Sequence, residues 1–227
     1  MDSNFTITKE PPSWWNDYVN WPRQTSHFCE LNSTSQYFIM KDKGLCFQIL
    51  KKGPFSMAKS FFPEIDEELL TNFKKYCKEN KLKLLIHAYK ELPNLKPVML
   101  ATAMVNLKND NLWMSLDKKQ RNRIRRAKEK NLKFKEAQTK QEWLEYYKLY
   151  KETSTRKNIK FYPEEYLDSL FNLDRDYSKL FYVEYQNKPI SYAQVFIHKK
   201  IIFLNSLANT EKSYEINANA YLLWKTI

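Results

Sequence analysis

Glycine is the residue that this chain most lacks: Gly44 and Gly53 are the only two among 227 residues, and both lie in the N-terminal third. The phosphate-binding loops of P-loop and dinucleotide-binding proteins need several glycines at fixed spacing, because their backbone amides approach the phosphates closely. The shortage therefore excludes both of these classes of nucleotide-binding protein.

Cysteine and histidine are also scarce. The cysteines are Cys29, Cys46 and Cys77, and the histidines are His27, His87 and His198. The cysteines fit no metal-binding spacing, and we expect three buried thiols in a reducing compartment. No histidine stands beside a nucleophile in a pattern typical of catalysis. The sequence thus predicts no metal site and identifies no catalytic residue.

Long apolar runs are missing as well. No segment approaches the roughly 20 apolar residues that cross a bilayer, and the N-terminus has no signal-peptide pattern. Hydrophobic residues make up 43% of the chain and aromatic residues 15%, as in a globular protein. The net charge of +12 favours anionic partners such as nucleic acid or an acidic membrane face. We expect a cytoplasmic protein with peripheral contact to the inner face of the membrane.

Much of the positive charge falls in a predicted helix over residues 116–131. Ser115 stands where an N-cap is expected, with Asp117 in the first turn near the positive end of the helix dipole. Asn131 suits the left-handed residue that often ends a helix. The sequence therefore predicts both ends of this helix as well as its charge.

Three basic residues of this helix, Arg121, Arg125 and Lys128, share one face at i, i+4 and i+7. Ile124 and Ala127 leave only a narrow apolar stripe for docking. One interpretation is a solvated face in a lysine-rich protein, which is the commoner meaning of a charge run. The other is a surface that binds phosphate or carboxylate, because the planar guanidinium of arginine binds such groups bidentately.

The first half of the chain is predicted to hold mostly strands. These strands lie over residues 36–40, 45–50, 82–88, 98–107 and 133–137. A turn at residues 42–44 joins the first two as a hairpin that ends at Gly53. Asp66 caps a helix between the second and third strands. Together with the basic helix, these elements form a predicted first domain of residues 1–137.

The second half, residues 138–227, is predicted as a second domain. Thr139 and Glu142 form a capping box at the start of a helix, and Pro163 begins the next helix. A meander over residues 180–185, 190–197 and 201–207, a loop over residues 208–217 and a helix over residues 218–227 follow. This is the element order of a GNAT-type acyltransferase, and the first half is a weaker copy. The predicted class is α/β, with mixed sheets flanked by helices.

Several motifs resemble the FemABX family. They lie in residues 24–28 (QTSHF), 112–132, 150–156 (YKETSTR), 162–166 (YPEEY) and 201–224, in the order of the family. The resemblance implies two tandem GNAT-like domains. It also implies an aminoacyltransferase that moves an amino acid from aminoacyl-tRNA to the amine of a peptidoglycan-precursor peptide.

The resemblance further implies an acceptor site. Its predicted residues are Arg156, Tyr162, Tyr166, Asn205 and Tyr214. Arginine offers a fork to phosphate, while tyrosine offers a ring face to sugar or uracil and a hydroxyl for hydrogen bonds. The alternative is that the tyrosines belong to the core. The resemblance favours the phosphate-binding interpretation of the basic helix. We expect Arg121, Arg125 and Lys128 to contact phosphate of tRNA or of the precursor, because these three residues share one face.

Two local features bear on the donor and the acceptor. The loop over residues 208–217 has no glycine and carries Glu211 and Glu215. Both features disfavour binding of the coenzyme A pyrophosphate. Aminoacyl-tRNA is therefore the expected co-substrate, and no cofactor is predicted. Asn32 stands where family members often place a lysine that meets precursor phosphate. The alternatives are a GNAT-related N-acyltransferase for another amine and a non-catalytic module that binds tRNA or another nucleic acid.

The last predicted helix carries consecutive apolar residues over 221–224, so they point to nearly all sides. A GNAT-type domain continues with a further strand and helix after such a helix. The sequence therefore predicts a C-terminally incomplete second domain. We expect its end to be mobile or covered by a partner chain, and this fragment to be inactive by itself.

Overall fold

The computed structural model describes residues 5–32, 34–88, 92–93, 95, 105–107 and 111–227. Backbone contacts divide the chain into two compact units. The first comprises residues 1–100 with 198–201, and the second comprises residues 101–197 with 202–227. The strand predicted over residues 98–107 falls largely outside the described residues.

The first unit is built on a five-stranded sheet in the order β1-β2-β3-β4-β5. Its elements are β1 (Thr6–Thr8), α1 (Trp15–Tyr18), a 3-10 helix (Pro22–Gln24), α2 (Ser26–Glu30), β2 (Ser35–Met40), β3 (Lys43–Lys52), β4 (Phe55–Phe61), α3 (Glu67–Glu79) and β5 (Leu82–His87). Neighbours from β1 to β4 are antiparallel, whereas β4 and β5 are parallel and α3 connects them. A parallel pair requires such a crossover.

The predicted hairpin is present but longer than expected. The turn is shorter than the one predicted over residues 42–44. Lys41 takes a positive φ of 54°, and β3 begins already at Lys43. Gly44 is required within β3, since a Cβ there would collide with the carbonyl oxygen of Phe38. Gly53, with φ 58°, turns the chain into β4, a strand that the sequence analysis did not predict.

The core of the first unit is aromatic. The ring of Phe73 on α3 lies 5.2 Å from that of Phe38 and 5.1 Å from that of Phe47, and all three side chains are buried. The predicted cap of α3 is confirmed, because the Asp66 carboxylate accepts a hydrogen bond of 2.8 Å from the amide of Leu69. The cap fixes where α3 starts, and the rings fix which face it buries.

Two of the three cysteines are not free thiols, which corrects the expectation from sequence. Cys29 on α2 and Cys46 on β3 form a disulfide. The two residues share a buried cluster with Trp15 and Tyr37, so tertiary packing brings them together across 17 positions of sequence. Cys77 is free and buried as expected, and burial raises the pKa of its thiol to about 12.

The second unit is built on a four-stranded sheet in the order β6-β7-β8-β9. Its elements are α4 (Leu112–Ser115), α5 (Lys118–Lys128), β6 (Lys133–Glu136), α6 (Lys140–Arg156), α7 (Glu164–Asn172), β7 (Ser178–Tyr185), β8 (Lys188–His198), β9 (Ile201–Asn209), α8 (Glu211–Glu215) and α9 (Ala218–Thr226). The predicted helix-helix-meander order is present. The predicted loop over residues 208–217 instead contains the end of β9 and the short helix α8.

The strand β6 pairs with the second sheet, although it was expected to close the first domain. Phe134 of β6 lies opposite Val183 of β7, and its ring stacks on Phe181 at 5.4 Å. The basic helix α5 likewise packs within the second unit, against α9. The division by backbone contacts at residue 100 thus differs from the predicted boundary at residue 138.

The ends of the basic helix differ in part from expectation. Asp117, rather than Ser115, caps α5, since its carboxylate accepts a 2.7 Å hydrogen bond from the amide of Gln120. The Ser115 hydroxyl instead donates to the carbonyl of Leu112 at 2.7 Å and ends α4. Asn131 takes the predicted left-handed conformation with φ 52°.

The apolar helix α9 is covered on two sides within the second unit. Ala218 and Leu222 are fully buried against Val183 of the sheet. On another side the Trp224 ring meets that of Trp113 at 5.0 Å. Among the described residues, no helix combines the length and apolar character needed to cross a membrane.

Candidate functional site

A shallow cleft lined by tyrosines opens between α6, α7 and β9. We call it the tyrosine cleft, and the polar residues along it are Tyr146, Tyr147, Tyr150, Tyr162, Tyr166, Asn205 and Ser206. The rings of Tyr162 and Tyr166 stack at 4.3 Å, and Tyr162 keeps 47% of its surface exposed. An exposed stacked ring can accept the flat face of a ligand.

The α6 side of the tyrosine cleft follows from helical spacing. Tyr146 and Tyr150 are four residues apart, so they lie on one face, and their rings stack at 5.7 Å. The hydroxyls of Tyr146 and Ser206 lie 2.6 Å apart, and the Tyr147 hydroxyl donates to the Tyr162 carbonyl at 3.1 Å. Burial raises the pKa of Tyr146, so its hydroxyl stays protonated. The cleft therefore presents neutral hydroxyls and ring faces.

Arg156, at the end of α6, is held against the start of α8. Its Nη2 donates a 2.8 Å hydrogen bond to the carbonyl of Asn209, and its Nη1 lies 3.9 Å from a carboxylate oxygen of Glu211. Its Cζ lies 5.9 Å from the centre of the Tyr214 ring. The side chain remains 39% exposed, so a ligand can still reach the guanidinium.

The five predicted acceptor-site residues thus fall into two groups. Tyr162, Tyr166 and Asn205 line the tyrosine cleft. Arg156 and Tyr214 lie together beside α8, outside the lining of that cleft. Arg156 ends α6 and Asn205 lies on β9, whereas Tyr166 lies on α7 and Tyr214 on α8.

Sequence analysis missed the buried polar residues that hold this region together. We call them the Asn209 cluster, and its members are Asn209, Thr153, Ser191 and Ser213, all at most 3% exposed. The Asn209 Oδ1 accepts hydrogen bonds from Ser191 Oγ at 2.6 Å and Ser213 Oγ at 3.2 Å. Its backbone amide donates to Thr153 Oγ1 at 3.1 Å. One buried amide therefore joins α6, β8, β9 and α8, and no spacing in the sequence indicates it.

The segment before α9 is pinned by local hydrogen bonds. Thr210 Oγ1 caps α8 by accepting from the amide of Ser213 at 3.2 Å. Lys212 and Glu215 form an ion pair of 2.9 Å, and Asn217 takes a left-handed φ of 60°. The backbone amide of Ser213 is thus already bonded to a side chain of the protein itself.

The three predicted phosphate-binding residues on α5 have different surroundings. Nη1 of Arg121 donates to the carbonyls of Met114 at 2.9 Å and Leu116 at 2.5 Å, which ties α5 to the end of α4. Arg125 and Lys128 instead lie 5.7 Å and 5.6 Å from the centre of the Trp113 ring. Both side chains are exposed. The structure thus brings two exposed cations together around one indole ring.

The helix α5 carries a dense positive charge. Ile124 and Ala127, the predicted apolar stripe, are buried as expected. The helix bears seven Lys and Arg residues, and none of the seven forms an ion pair within the described ranges of the chain. Repulsion among like charges at this spacing destabilises a helix, so α5 is held by its Asp117 cap and by packing on α9.

Candidate metal ligands are not clustered in the part of the chain that the structure describes. No group of three or more His, Cys, Asp and Glu side chains there could hold a metal ion.

The second unit has the order of a GNAT-type acyltransferase, with two helices, a meander, a short segment and a helix on the sheet. The FemAB family model matches residues 97–194, which confirms the resemblance to this family over the stretch that includes α5, α6 and α7. The match also covers the Arg156 and Tyr162–Tyr166 motifs that carried the resemblance.

Solved structures share the fold. A FemX crystal structure matches with a TM-score of 0.69 and 10% identity, over 97% of this chain and 84% of that one. The C-terminal domain of a protein from Agrobacterium fabrum, assigned as a lysylphosphatidylglycerol synthetase, matches with a TM-score of 0.55 and 12% identity, over 90% and 70%. L-PGS from Bacillus licheniformis matches with a TM-score of 0.53 and 12% identity, over 88% and 69%. No curated protein sequence matches the chain. The predicted mixed α/β class, with two sheets flanked by helices, is confirmed.

Proposed function

We propose that this protein is an aminoacyltransferase that moves an amino acid from aminoacyl-tRNA to the amine of a peptidoglycan-precursor peptide. The observation that carries the proposal is the FemAB match over residues 97–194, which spans the basic helix, Arg156 and most of the tyrosine cleft. Charged tRNA is a cytoplasmic substrate, so we place the reaction in the cytoplasm. The precursor is linked to a nucleotide or to a membrane lipid.

The proposed reaction needs no covalent enzyme intermediate. The acceptor amine attacks the ester carbonyl carbon of aminoacyl-tRNA and forms the C–N bond. The tetrahedral intermediate then expels the ribose oxygen of the tRNA, which receives a proton that the amine loses. Aligning amine and ester and stabilising the developing oxyanion lower such a barrier. Neutral hydroxyls and a fixed guanidinium suit that task.

We assign the acceptor to the region between Arg156 and the tyrosine cleft. The free edge of the Arg156 guanidinium would meet precursor phosphate or carboxylate, since its Nη2 is already oriented by the Asn209 carbonyl. The exposed face of Tyr162 would stack on sugar or uracil. Asn205 would supply an amide along the same cleft. The Tyr214 ring would help to hold the Arg156 guanidinium in place through a cation–π contact.

We assign tRNA phosphate to the exposed face of α5, chiefly Arg125 and Lys128. Trp113 beneath them fixes their direction through cation–π contacts. Arg121 takes a supporting part, because its Nη1 holds the α4–α5 corner. Its remaining donors can add a phosphate contact.

The acceptor assignment is tested with Arg156→Gln, measured as precursor turnover at saturating aminoacyl-tRNA. We expect KM for the precursor to rise by about tenfold or more, which is the loss of one charged contact of about 1.4 kcal/mol. Lys157→Gln is the matched control, since Lys157 also lies 5.9 Å from the Tyr214 ring and is one residue away. Equal KM values for the two variants would contradict the assignment.

The tRNA assignment is tested by filter binding across salt concentrations. Arg125→Gln combined with Lys128→Gln should reduce the salt slope of tRNA binding by about two units, one for each lost phosphate contact. Arg123→Gln combined with Arg126→Gln removes the same charge from the same helix and serves as control. If both pairs reduce the slope equally, α5 attracts tRNA only by its net charge.

The turnover assay with other donors and acceptors separates the remaining candidate functions. Acetyl-coenzyme A in place of aminoacyl-tRNA tests a GNAT-related N-acyltransferase. Phosphatidylglycerol vesicles in place of the precursor test a lipid acceptor, which the shared fold with lysylphosphatidylglycerol synthetases makes worth including. Binding of tRNA without transfer to any acceptor would favour a binding module.

A further inference from the structure

One face of the sheet in the first unit presents apolar side chains to solvent. Helix α3 packs on the other face, where Ala58 of β4 is buried. Side chains alternate along a strand, so Phe55 and Met57 of β4 point away from α3. Phe55 is 56% exposed, and Leu50 of β3 and Leu85 of β5 are 37% and 36% exposed. We call Leu50, Phe55, Met57 and Leu85 the apolar face.

The strand register places these side chains next to one another. Met57 is paired with Leu50 in the antiparallel ladder and with Lys83 in the parallel ladder. Leu85 follows Lys83 by two residues on β5, so both point to the same side of the sheet. Phe55 extends the apolar face to the first residue of β4. The face therefore spans three strands and reaches the turn that joins β3 to β4.

The turn between β3 and β4 is open to solvent. Lys52 and Phe55 are paired across it, so the turn itself consists of Gly53 and Pro54. Pro54 is exposed, and a Cβ added at Gly53 would meet no atom of the described residues within 4 Å beyond its chain neighbours. The turn therefore projects from the first unit, with the exposed Phe55 ring beside it.

The same end of the sheet is positively charged. The segments β3, β4 and β5 contain lysines and no aspartate or glutamate. Lys51 and Lys83 are both exposed, and neither forms an ion pair within the described parts of the chain. Lys83 Nζ lies 3.9 Å from the centre of the Phe55 ring, and Lys51 points to the opposite side of the sheet. Two cations thus flank the projecting turn.

This combination of groups fits the surface of an anionic bilayer. Lysines near the surface are attracted by negatively charged headgroups, and apolar side chains enter the boundary between headgroups and acyl chains. A single-stranded nucleic acid fits less well, because its bases stack on aromatic rings. Leu50, Met57 and Leu85 have no ring to offer.

We propose that the apolar face and the β3–β4 turn dock on a membrane surface that contains anionic phospholipid. Phe55 enters the headgroup boundary, while Lys51 and Lys83 contact lipid phosphate. The docking surface belongs to the first unit alone and does not depend on the transfer reaction proposed above.

The charge requirement is tested by cosedimentation of the whole chain, without tRNA, with phosphatidylglycerol-containing vesicles and with pure phosphatidylcholine vesicles. Lys51→Gln combined with Lys83→Gln should weaken binding to the anionic vesicles by about fivefold for each lost charge. Lys9→Gln combined with Lys41→Gln is the matched control. Both of its lysines are exposed, Lys9 after the edge strand β1 and Lys41 at the other end of β3. Absence of binding by the unaltered protein, equal binding to both kinds of vesicle, or equal losses in both pairs would overturn the proposal.

The apolar requirement is tested with Phe55→Ser in the same assay. Losing the burial of one phenylalanine side chain should weaken binding by about tenfold. Ile159→Ser is the control, because Ile159 of the second unit is 58% exposed and thus comparable to Phe55. Unchanged binding of Phe55→Ser, or an equal loss in Ile159→Ser, would contradict the proposal.

A fluorescent label reports insertion independently of affinity. Pro54→Cys introduces a reactive thiol at the turn, since Cys77 is buried and the other two cysteines form a disulfide. The emission of a polarity-sensitive dye on this thiol should shift to the blue when anionic vesicles are added. The same dye on Asp42→Cys, in the turn at the other end of β3, should not respond. No shift at position 54, or equal shifts at both positions, would likewise overturn the docking site.

Two other occupants of the apolar face are distinguished by the same variants. Sedimentation velocity without vesicles tests a second copy of the chain, and dimerisation that Phe55→Ser abolishes would overturn membrane docking. Binding of single-stranded RNA tests a nucleic acid. Loss of RNA binding in Phe55→Ser with unchanged vesicle binding would assign the face to nucleic acid instead.

Discussion

Two buried regions, one in each unit, are held together in different ways. The first unit buries aromatic rings around α3, where Phe73 lies within about 5 Å of both Phe38 and Phe47. The second unit buries an amide, a threonine and two serines in the Asn209 cluster. The aromatic region is held by apolar contact area and the Asn209 cluster by directional hydrogen bonds. Each unit also contains the other kind of interior, since Gln24 is a buried polar anchor of the first unit and Val183 and Leu222 are apolar core of the second.

The difference between these two regions bears on the proposed acceptor site. Apolar packing is tolerant of direction and stabilises a fold without placing any group accurately. A buried polar network costs free energy unless every partner is in place, but it then fixes positions closely. The Asn209 cluster is attached to Arg156 through the Asn209 carbonyl, so the directional interior lies beside the proposed acceptor site.

The largest effect on stability is expected from the aromatic interior. Phe73→Ala should lower the free energy of unfolding by about 3–5 kcal/mol, since it removes a fully buried ring and leaves a cavity. Urea unfolding followed by tryptophan fluorescence measures this change, with Phe55→Ala as control because Phe55 is 56% exposed. The KM of the remaining folded protein for the precursor should stay unchanged. A raised KM would show that the two interiors do not have separate roles.

A smaller loss of stability with a larger effect on function is expected from the Asn209 cluster. Asn209→Ala leaves the hydroxyls of Ser191 and Ser213 buried without their acceptor, at about 1–3 kcal/mol for each group. The precursor KM should rise as well, because the carbonyl that orients Arg156 is no longer held in place. Combining Asn209→Ala with Ser191→Ala and Ser213→Ala removes the stranded groups and should restore part of the stability without restoring KM. Recovery of both together would reduce the cluster to a purely structural role.

The smallest expected effect concerns Glu142, a second polar anchor of the same unit. Burial opposes its ionisation, but hydrogen bonds from the Tyr182 hydroxyl and the amides of Thr139 and Gln138 outweigh burial and lower its pKa to about 2 from 4.5. The ionised carboxylate therefore stabilises the fold fully above pH 4.5, and this contribution is lost as the pH falls toward 2. Glu142→Gln should lower stability at pH 7 by about 1–2 kcal/mol and flatten its decline in acid. Glu145→Gln, exposed on the same helix, is the control and should keep the acid dependence.

Much of the second unit could be predicted because the sequence signals for its helix ends are local. The capping box of Thr139 and Glu142 and the left-handed Asn131 depend on neighbours within a few residues, and both are present. The strand β4 was missed because Gly53 marks a turn whether a hairpin ends or continues there. The cap of α5 was placed two residues early because Ser115 and Asp117 are both good caps, and only the bend between α4 and α5 selects Asp117.

The arrangement of the predicted acceptor-site residues could not be predicted from the sequence. The motifs carried Arg156, Tyr162 and Tyr166, yet nothing in their spacing showed that Arg156 lies with Tyr214 while the other two tyrosines line a cleft. The disulfide between Cys29 and Cys46 could not be predicted from the sequence for the same reason. Each of these pairings joins segments far apart in sequence.

The sequence by itself determined the types of most elements of the second unit, the caps of α3 and α6, the charge of α5 and the family resemblance. These follow from side-chain periodicity and from hydrogen bonds that close within one helical turn. Only the tertiary structure decided that β6 joins the second sheet and that Asn209 links four elements. It also decided that the side chains of Arg23, Lys59 and His87 lie around the Phe61 ring. Such contacts form when the chain buries apolar surface as a whole, and polar groups far apart in sequence must then find partners wherever that burial leaves them.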